Sequence, residues 1–219
     1  MQIRLEWSYH LLKRKQTYFM KSEWMSVEES LALVADLEKT GRLKEVVFLD
    51  QEDSTWTKKE LLRFLKQLES EPHNVKAYVD GGYDLSSKKA GIGIAIYFQQ
   101  NHKSWRVRFN DQLELLQDNN EAEYAALYRL IQQLETIGMH HQPITVYMDS
   151  MVVVNQASGE WPCLEDHYIR WLNRIDELAR VLGLTLQYEL IDRNANKEAD
   201  QLATQALKGV EIESKIERA

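Results

Sequence analysis

Four acids in this chain stand where solvated surface acids do not belong: Asp80, Glu123, Asp149 and Asp200. Asp80 closes the apolar run that begins at Val75 and is followed by Gly81 and Gly82. Asp149 closes a second such run, from Ile144 to Met148. If the two runs are parallel strands, both carboxylates emerge at the same sheet edge, where open α/β sheets collect their ligands. Taken alone, either could be a turn aspartate. Glu123 tips the balance. It precedes Ala126, Leu127 and Leu130 by three, four and seven residues, so it shares the apolar stripe of its helix. The helix dipole favours an acid in the first turn but does not turn it inward. Asp200 repeats the pattern ahead of Ala203 and Leu207, with Ala199, Leu202 and Ala206 completing a small-residue face. A cap is already present in Asn196, so capping does not explain Asp200.

Carboxylates that share a cleft repel one another unless cations lie between them. Hard oxygen ligands of this kind suit Mg²⁺ or Mn²⁺. Two such ions ~3.5–4 Å apart can clamp both the attacking and the leaving oxygen of a phosphodiester. No single acid is specific for that chemistry, but four at two strand ends and two helix starts are.

The elements that must hold these acids follow from periodicity. Val75–Asp80, Gly91–Phe98 and Trp105–Phe109 read as three consecutive strands. Next come a helix over Glu121–Thr136, a strand over Ile144–Asp149, a short helix over Met151–Ala157 and helix through most of Leu164–Leu182. A last strand, Leu184–Ile191, precedes a last helix, Asn196–Lys208. Three strands followed by alternating helices and strands imply a mixed sheet with helices on its faces. The charged stretch 210–219 reads as a loose tail.

The N-terminal part reads as two strands, helix, strand, helix. Ile3, Leu5 and Trp7 alternate with polar residues, and Tyr18 and Met20 alternate after a Lys13-Arg14-Lys15 turn. Ser26-Val27-Glu28-Glu29 and Thr57-Lys58-Lys59-Glu60 are capping boxes. The polar, proline-containing stretch Glu69–Asn74 marks a boundary between a small α+β domain, 1–71, and a larger domain, 74–209.

Composition excludes several classes. An apolar fraction of 44% is that of an ordinary globular protein, and no apolar run approaches the ~20 residues of a membrane helix. The N-terminus lacks a signal-peptide core. Cys163 is the single cysteine, so no intrachain disulfide can form and a reducing cytoplasm is the expected setting. The net charge of −7 excludes nucleic-acid binding by bulk electrostatics alone. Residues 1–71 carry 12 basic and 13 acidic residues and the remainder 15 and 21, so the deficit sits with the four acids, where bound cations would offset it.

Four motifs carry a resemblance to the ribonuclease H type 1 family. They are Tyr78-Val79-Asp80-Gly81-Gly82, Asn119-Asn120-Glu121-Ala122-Glu123-Tyr124, Met148-Asp149-Ser150 and Asn196-Lys197-Glu198-Ala199-Asp200-Gln201-Leu202-Ala203. Asn155-Gln156, Gly159 and Trp161 are similar to the family too, and the likeness spans about residues 74–208. The Ala-Glu-Tyr form of the second motif resembles the bacterial and archaeal branch often labelled reverse-transcriptase-like. The resemblance implies an α/β ribonuclease H-like fold, a mixed five-stranded sheet with flanking helices. It also implies hydrolysis of the RNA strand of RNA–DNA hybrids with two Mg²⁺ or Mn²⁺ ions, leaving 5′-phosphate and 3′-hydroxyl ends. Asp80 would bridge the ions, Asp200 would complete the water-activating site, and Glu123 and Asp149 would hold the ion at the leaving oxygen. Asn120, assisted by Asn119, would contact the hybrid's minor groove, where 2′-hydroxyls distinguish RNA. Gly81, Gly82 and Asn196 would line the substrate side.

The chain also departs from the family. Many members carry a loop histidine before the last acid, where this chain reads Asp192-Arg193-Asn194-Ala195. The usual glycine- and proline-containing loop is replaced by Tyr83–Lys89, and the segment after Trp161 is mixed in charge rather than basic. Tyr168 and Trp171 read as core, and Trp161 is the better candidate for stacking on a base. In the N-terminal domain Lys13, Arg14, Lys15, Lys58 and Lys59 could face phosphates, while a partner-binding or stabilising role is equally open. Two rivals to the hybrid nuclease stand. One is a nucleic-acid- or partner-binding protein of this fold that cuts poorly. The other is a same-fold nuclease for double-stranded RNA or branched DNA.

Overall fold

Residues 1–11 and 15–218 are described in the computed structural model. They divide into two units, Met1–Ser70 and Glu71–Ala219. The first unit runs β1 (Gln2–Leu11), β2 (Gln16–Lys21), β3 (Met25–Ser26), α1 (Val27–Lys39), β4 (Leu43–Leu49), β5 (Thr55–Trp56) and α2 (Lys58–Ser70). Its strands lie in the order β2-β1-β4-β5, with β3 pairing the start of β1. Alternation in β1 buries Ile3 and Leu5 against Val34, Phe48 and Leu61. Both capping boxes form. The Glu29 N–H donates to Ser26 Oγ at 3.1 Å and the Ser26 N–H to Glu29 Oε2 at 2.8 Å, with the same exchange between Thr57 and Glu60. Such caps contribute ~1 kcal/mol each. Lys13 and Arg14 lie outside the described residues. Lys58 spends its charge on Glu38 at 2.6 Å.

The second unit runs β6 (His73–Asp84), β7 (Lys89–Gln100), β8 (Lys103–Glu114), α3 (Asn119–Ile137), β9 (Pro143–Met148), α4 (Met151–Ala157) and α5 (Asp166–Leu182). Then follow β10 (Thr185–Leu190), a 3-10 turn (Arg193–Ala195), α6 (Lys197–Leu207) and β11 (Glu213–Arg218). The sheet order is β10-β9-β6-β7-β8-β11. β6, β9 and β10 are parallel, and the β6–β7, β7–β8 and β8–β11 pairs are antiparallel. Val79 and Ile94 of the sheet, with Leu127, Leu130 and Leu134 of α3, are fully buried at the centre of the core. Among the described residues no helix is long and apolar enough to cross a membrane.

One expectation is overturned. In place of a loose tail at 210–219, Glu213–Arg218 forms β11 against β8, so the sheet has six strands rather than five. Asn110, buried in β8, fastens the turn into β11. Its Nδ2 donates to Leu202 O and Val210 O at 3.0 and 2.8 Å, and its Oδ1 accepts from the Ile212 N–H at 2.6 Å.

Two glycines set how closely the helices that carry acids approach the sheet. A Cβ on Gly93 would lie 2.0 Å from Ala199 O of α6, and one on Gly81 would lie 2.3 Å from the Ala122 backbone of α3. Both contacts are far inside van der Waals distance, so only glycine lets α3 and α6 bring Glu123 and Asp200 to the end of β6.

Candidate active site

β6 and β9 run side by side and in parallel, so Asp80 within β6 and Asp149 just past the end of β9 reach the same edge of the sheet. α3 crosses that edge with Glu123 facing inward. One carboxylate oxygen from each of Asp80, Glu123 and Asp149 fits within a group no more than 4.8 Å across. Asp80 is 9% exposed and Glu123 5%. Three carboxylates converging in a poorly hydrated pocket form a hard-oxygen donor set with the chemistry that a divalent cation requires.

The electrostatics of the group favour positive charge beside it. Burial, then repulsion from Asp149 and Asp200, pushes the Asp80 carboxyl up to about 7, with Arg193 opposing. Burial, then the charges of Asp80 and Asp149, raises Glu123 well above the usual carboxylate range, and a bond from the Gly81 N–H at 3.2 Å works against the rise.

Asp200 lies beside this group but outside the triad. Its Oδ1 accepts from Arg193 Nη2 at 3.2 Å. Arg193 stands on the 3-10 turn, largely exposed, and its guanidinium is also held by the fields of Asp149 and Asp80. Sequence reasoning noted this stretch only for its missing histidine. The available signal was a cation seven residues, two helical turns, before the last acid.

The five residues expected to line the substrate side fall into different roles. Asn196 is fully buried and cannot touch a substrate. Its Nδ2 donates to Val79 O at 2.9 Å and to Asp149 Oδ1 at 3.0 Å, so it ties β6 to the third acid and positions that carboxylate. Gly81 is required for the close approach of α3 and donates to Glu123. A Cβ on Gly82 would meet only Leu207, at an ordinary 3.7 Å. Asn119 Oδ1 accepts from the Tyr83 N–H at 3.2 Å and tethers the start of α3 to β6. Asn120 is half-buried against the Tyr168 hydroxyl. Tyr168 is buried, whereas Trp161 is 44% exposed.

The unfolded chain releases the Asp80 proton near 3.8 and the folded chain near 7. Between those values the folded state holds the proton more tightly, so the metal-free protein loses stability as pH rises from about 4 to 7. The loss is on the order of 4 kcal/mol from this group, and Glu123 acts in the same direction. Urea unfolding at a series of pH values in chelator reads it, and a flat midpoint across that range would contradict the assignment. Asn196→Ala, for its part, leaves Asp149 without its donor. Metal affinity should fall ~10–100-fold, as read by the ion concentration that half-saturates a thermal shift. Affinity within twofold of wild type would remove Asn196 from this role.

The sheet order, the two helices that bring acids to its edge and the triad define a ribonuclease H-like α/β unit with a candidate metal centre. Residues 78–206 match the family model described as reverse transcriptase-like, and the chain belongs to that family. The uncharacterized protein YpeP of Bacillus subtilis (strain 168) is 38% identical over 202 residues, covering 91% of this chain and 89% of that protein. Among solved structures, the N-terminal RNase H domain of Rv2228c from Mycobacterium tuberculosis is 26% identical with a TM-score of 0.53. That match covers 62% of this chain and 94% of the solved one. RNase H1 from the halophilic archaeon Halobacterium salinarum NRC-1 is 25% identical with a TM-score of 0.52, covering 62% and 98%.

Proposed function

We propose that this protein is a metal-dependent endoribonuclease that hydrolyses the RNA strand of RNA–DNA hybrids, leaving 5′-phosphate and 3′-hydroxyl ends. The observation that carries the reading is the convergence of Asp80, Glu123 and Asp149 within 4.8 Å at the end of two parallel strands. The likeness to RNase H1 structures supports it at the level of the fold. The Ala122-Glu123-Tyr124 form of the second motif supports placement in the branch that commonly lacks the loop histidine.

Asp80, Glu123 and Asp149 would hold one Mg²⁺ or Mn²⁺ ion, and Asp80 with Asp200 a second. When bound, the two ions supply water activation and stabilisation of the leaving 3′ oxygen. The chain's own residues do the rest. Gly81 and Asn196 fix the directions of the Glu123 and Asp149 carboxylates. Asn120, at the start of α3, reads 2′-hydroxyls across the minor groove. Arg193 neutralises the backbone phosphate at the open side of the site. The N-terminal unit adds contacts to the hybrid or to a protein partner.

A panel of end-labelled substrates tests the choice of substrate: RNA–DNA hybrid, double-stranded RNA, duplex DNA and branched DNA. Cleavage confined to the RNA strand of the hybrid is the expected result. Preferential cutting of double-stranded RNA or branched DNA would replace the substrate while keeping the fold and the ions. One observation favours a binding protein that cuts poorly, namely the Arg193 guanidinium seated on Asp200. That reading predicts tight hybrid binding with no cleavage in either ion.

A further inference from the structure

The face of the larger sheet that carries α6 continues beyond the start of that helix. Residues paired across neighbouring strands share a face. The register therefore sets Glu189, Tyr147, Tyr78 and Arg108 in one row, and Gln187, Thr145, Lys76, Tyr97 and Arg106 in the next. Ser104 and Arg218 form a pair one row further on. α6 lies over Gly91 and Gly93 but begins only at Lys197. Two hollows, of about 440 and about 730 Å³, lie on the remaining rows and share Lys76, Tyr97 and Arg218. The smaller one reaches Ala195, on the 3-10 turn that carries Arg193. The groove is thus continuous with the acids. Tyr78 and Lys76 lie ~7 and ~13 Å down β6 from Asp80, and Tyr147 stands two residues before Asp149.

Aromatic rings and unspent cations line this groove together. Tyr78 and Tyr147 stack with centroids 4.8 Å apart and planes 20° from parallel. Tyr97 meets Tyr78 edge-on at 5.7 Å, and the Arg218 guanidinium lies 5.1 Å over the Tyr97 ring. The three tyrosines are only half-buried, and Lys76 and Arg218 are exposed. The charge of the face is opposite to that of the chain. Lys76, Arg106, Arg108 and Arg218 stand against Glu189 and Glu198, in a chain whose net charge is −7. Glu198 is already engaged, by Arg106 Nη1 at 3.2 Å and by the Tyr97 hydroxyl. Among the described residues Lys76, Arg108 and Arg218 form no ion pair.

We infer that this groove binds single-stranded nucleic acid at a site distinct from the metal centre and leading away from it. Lys76 and Arg218 meet phosphates, and unpaired bases lie against the tyrosines. Such stacking tolerates any sequence, because every base has a π face. The combination of groups selects this ligand. An acidic peptide or a free phosphate would use the cations and leave the rings idle. A duplex keeps its base faces covered and has none to offer the sheet. The hollows extend from Tyr78 to Asn74 along β6, ~13 Å, which exceeds the reach of one nucleotide in a stacked strand.

Fluorescence anisotropy in chelator tests the site without any cleavage, so its failure would leave the proposed hydrolysis untouched. The probes are labelled oligothymidylate and oligouridylate of about 12 nucleotides, an abasic strand of the same length, and oligoglutamate of the same charge. Both base-bearing strands should bind, and the tighter one identifies the natural source as DNA or RNA. The abasic strand should bind ~10-fold more weakly or worse, the loss of one stacked base. Lys76→Ala with Arg218→Ala should lower the slope of log affinity against log salt by about 1.4, two phosphate contacts on a single strand. Arg180→Ala, on the exposed side of α5, should leave that slope unchanged. The Mn²⁺-induced thermal shift of the double variant should match wild type, since neither exposed side chain touches the acids. The proposal is overturned if neither strand binds the wild-type protein. It is equally overturned if the abasic strand or oligoglutamate binds as tightly as the base-bearing strands, or if the double variant keeps the wild-type salt slope.

Discussion

Asp80→Asn should reduce hybrid cleavage by ~10³-fold or more while making the metal-free protein more stable at pH 8. The two effects have one cause. Asp80 is the acid that feels Asp149, Asp200 and burial together, and its carboxyl is pushed up to about 7 because the folded site resists its charge. Asparagine keeps the shape and removes that charge, so unfolding in chelator should shift to higher urea, by up to about 4 kcal/mol above pH 7. The amide is a poor ligand for a hard cation, however, and a missing charge at the ion costs several kcal/mol of transition-state stabilisation. Stability rising as activity collapses separates a ligand from a merely structural residue, whose loss would lower both. A variant that cleaves within tenfold of wild type, or that is less stable without metal, would contradict the role given to Asp80.

The second large effect is expected at Arg193. Its guanidinium rests on Asp200 and is drawn toward the other acids, yet the side chain is mostly in solvent. A divalent ion that recruits Asp200 must displace it, and the released guanidinium would stand at the mouth of the site facing substrate phosphate. Arg193→Ala should therefore slow turnover ~10²-fold, the scale of losing one donor to developing charge. Metal binding should tighten slightly, ~2-fold, because an exposed ion pair holds Asp200 only weakly. Arg193→Lys should recover part of the rate, since it restores the charge but not the planar fork. Single-turnover cleavage alongside a thermal-shift titration with Mn²⁺ reads both quantities. Loss of metal affinity together with activity would mean that Arg193 organises the acids rather than meeting the phosphate.

Much of the sheet and the acids' placement could be read from local pattern. Asp80 and Asp149 sit at the ends of apolar runs and Glu123 on an apolar stripe, so their convergence followed from two periodicities and a parallel pairing. The capping boxes at Ser26 and Thr57 were equally local and placed the starts of α1 and α2. β11 was not legible because its residues, Glu213-Ser214-Lys215-Ile216-Glu217-Arg218, are mostly charged, as suits an edge strand. What makes it a strand is the open side of β8 and the Asn110 side chain, both about a hundred residues away. Asn196 was found by its motif, but its burial depends on how α6 packs over Gly93, which no spacing reveals. Arg193 was passed over for a related reason. Its partner Asp200 is close in sequence, but its bearing on Asp80 and Asp149 exists only once β6, β9 and α6 have met.

The most direct measurement of the central claim is incubation of the wild-type protein with a hybrid labelled on each strand in turn, in Mg²⁺, in Mn²⁺ and in chelator. The expected outcome is RNA fragments ending in 3′-hydroxyls with either ion, an intact DNA strand, and no product in chelator. An uncut RNA strand, from protein whose melting temperature rises on adding the same ions, would show a site that binds metal without performing this hydrolysis and would contradict the account.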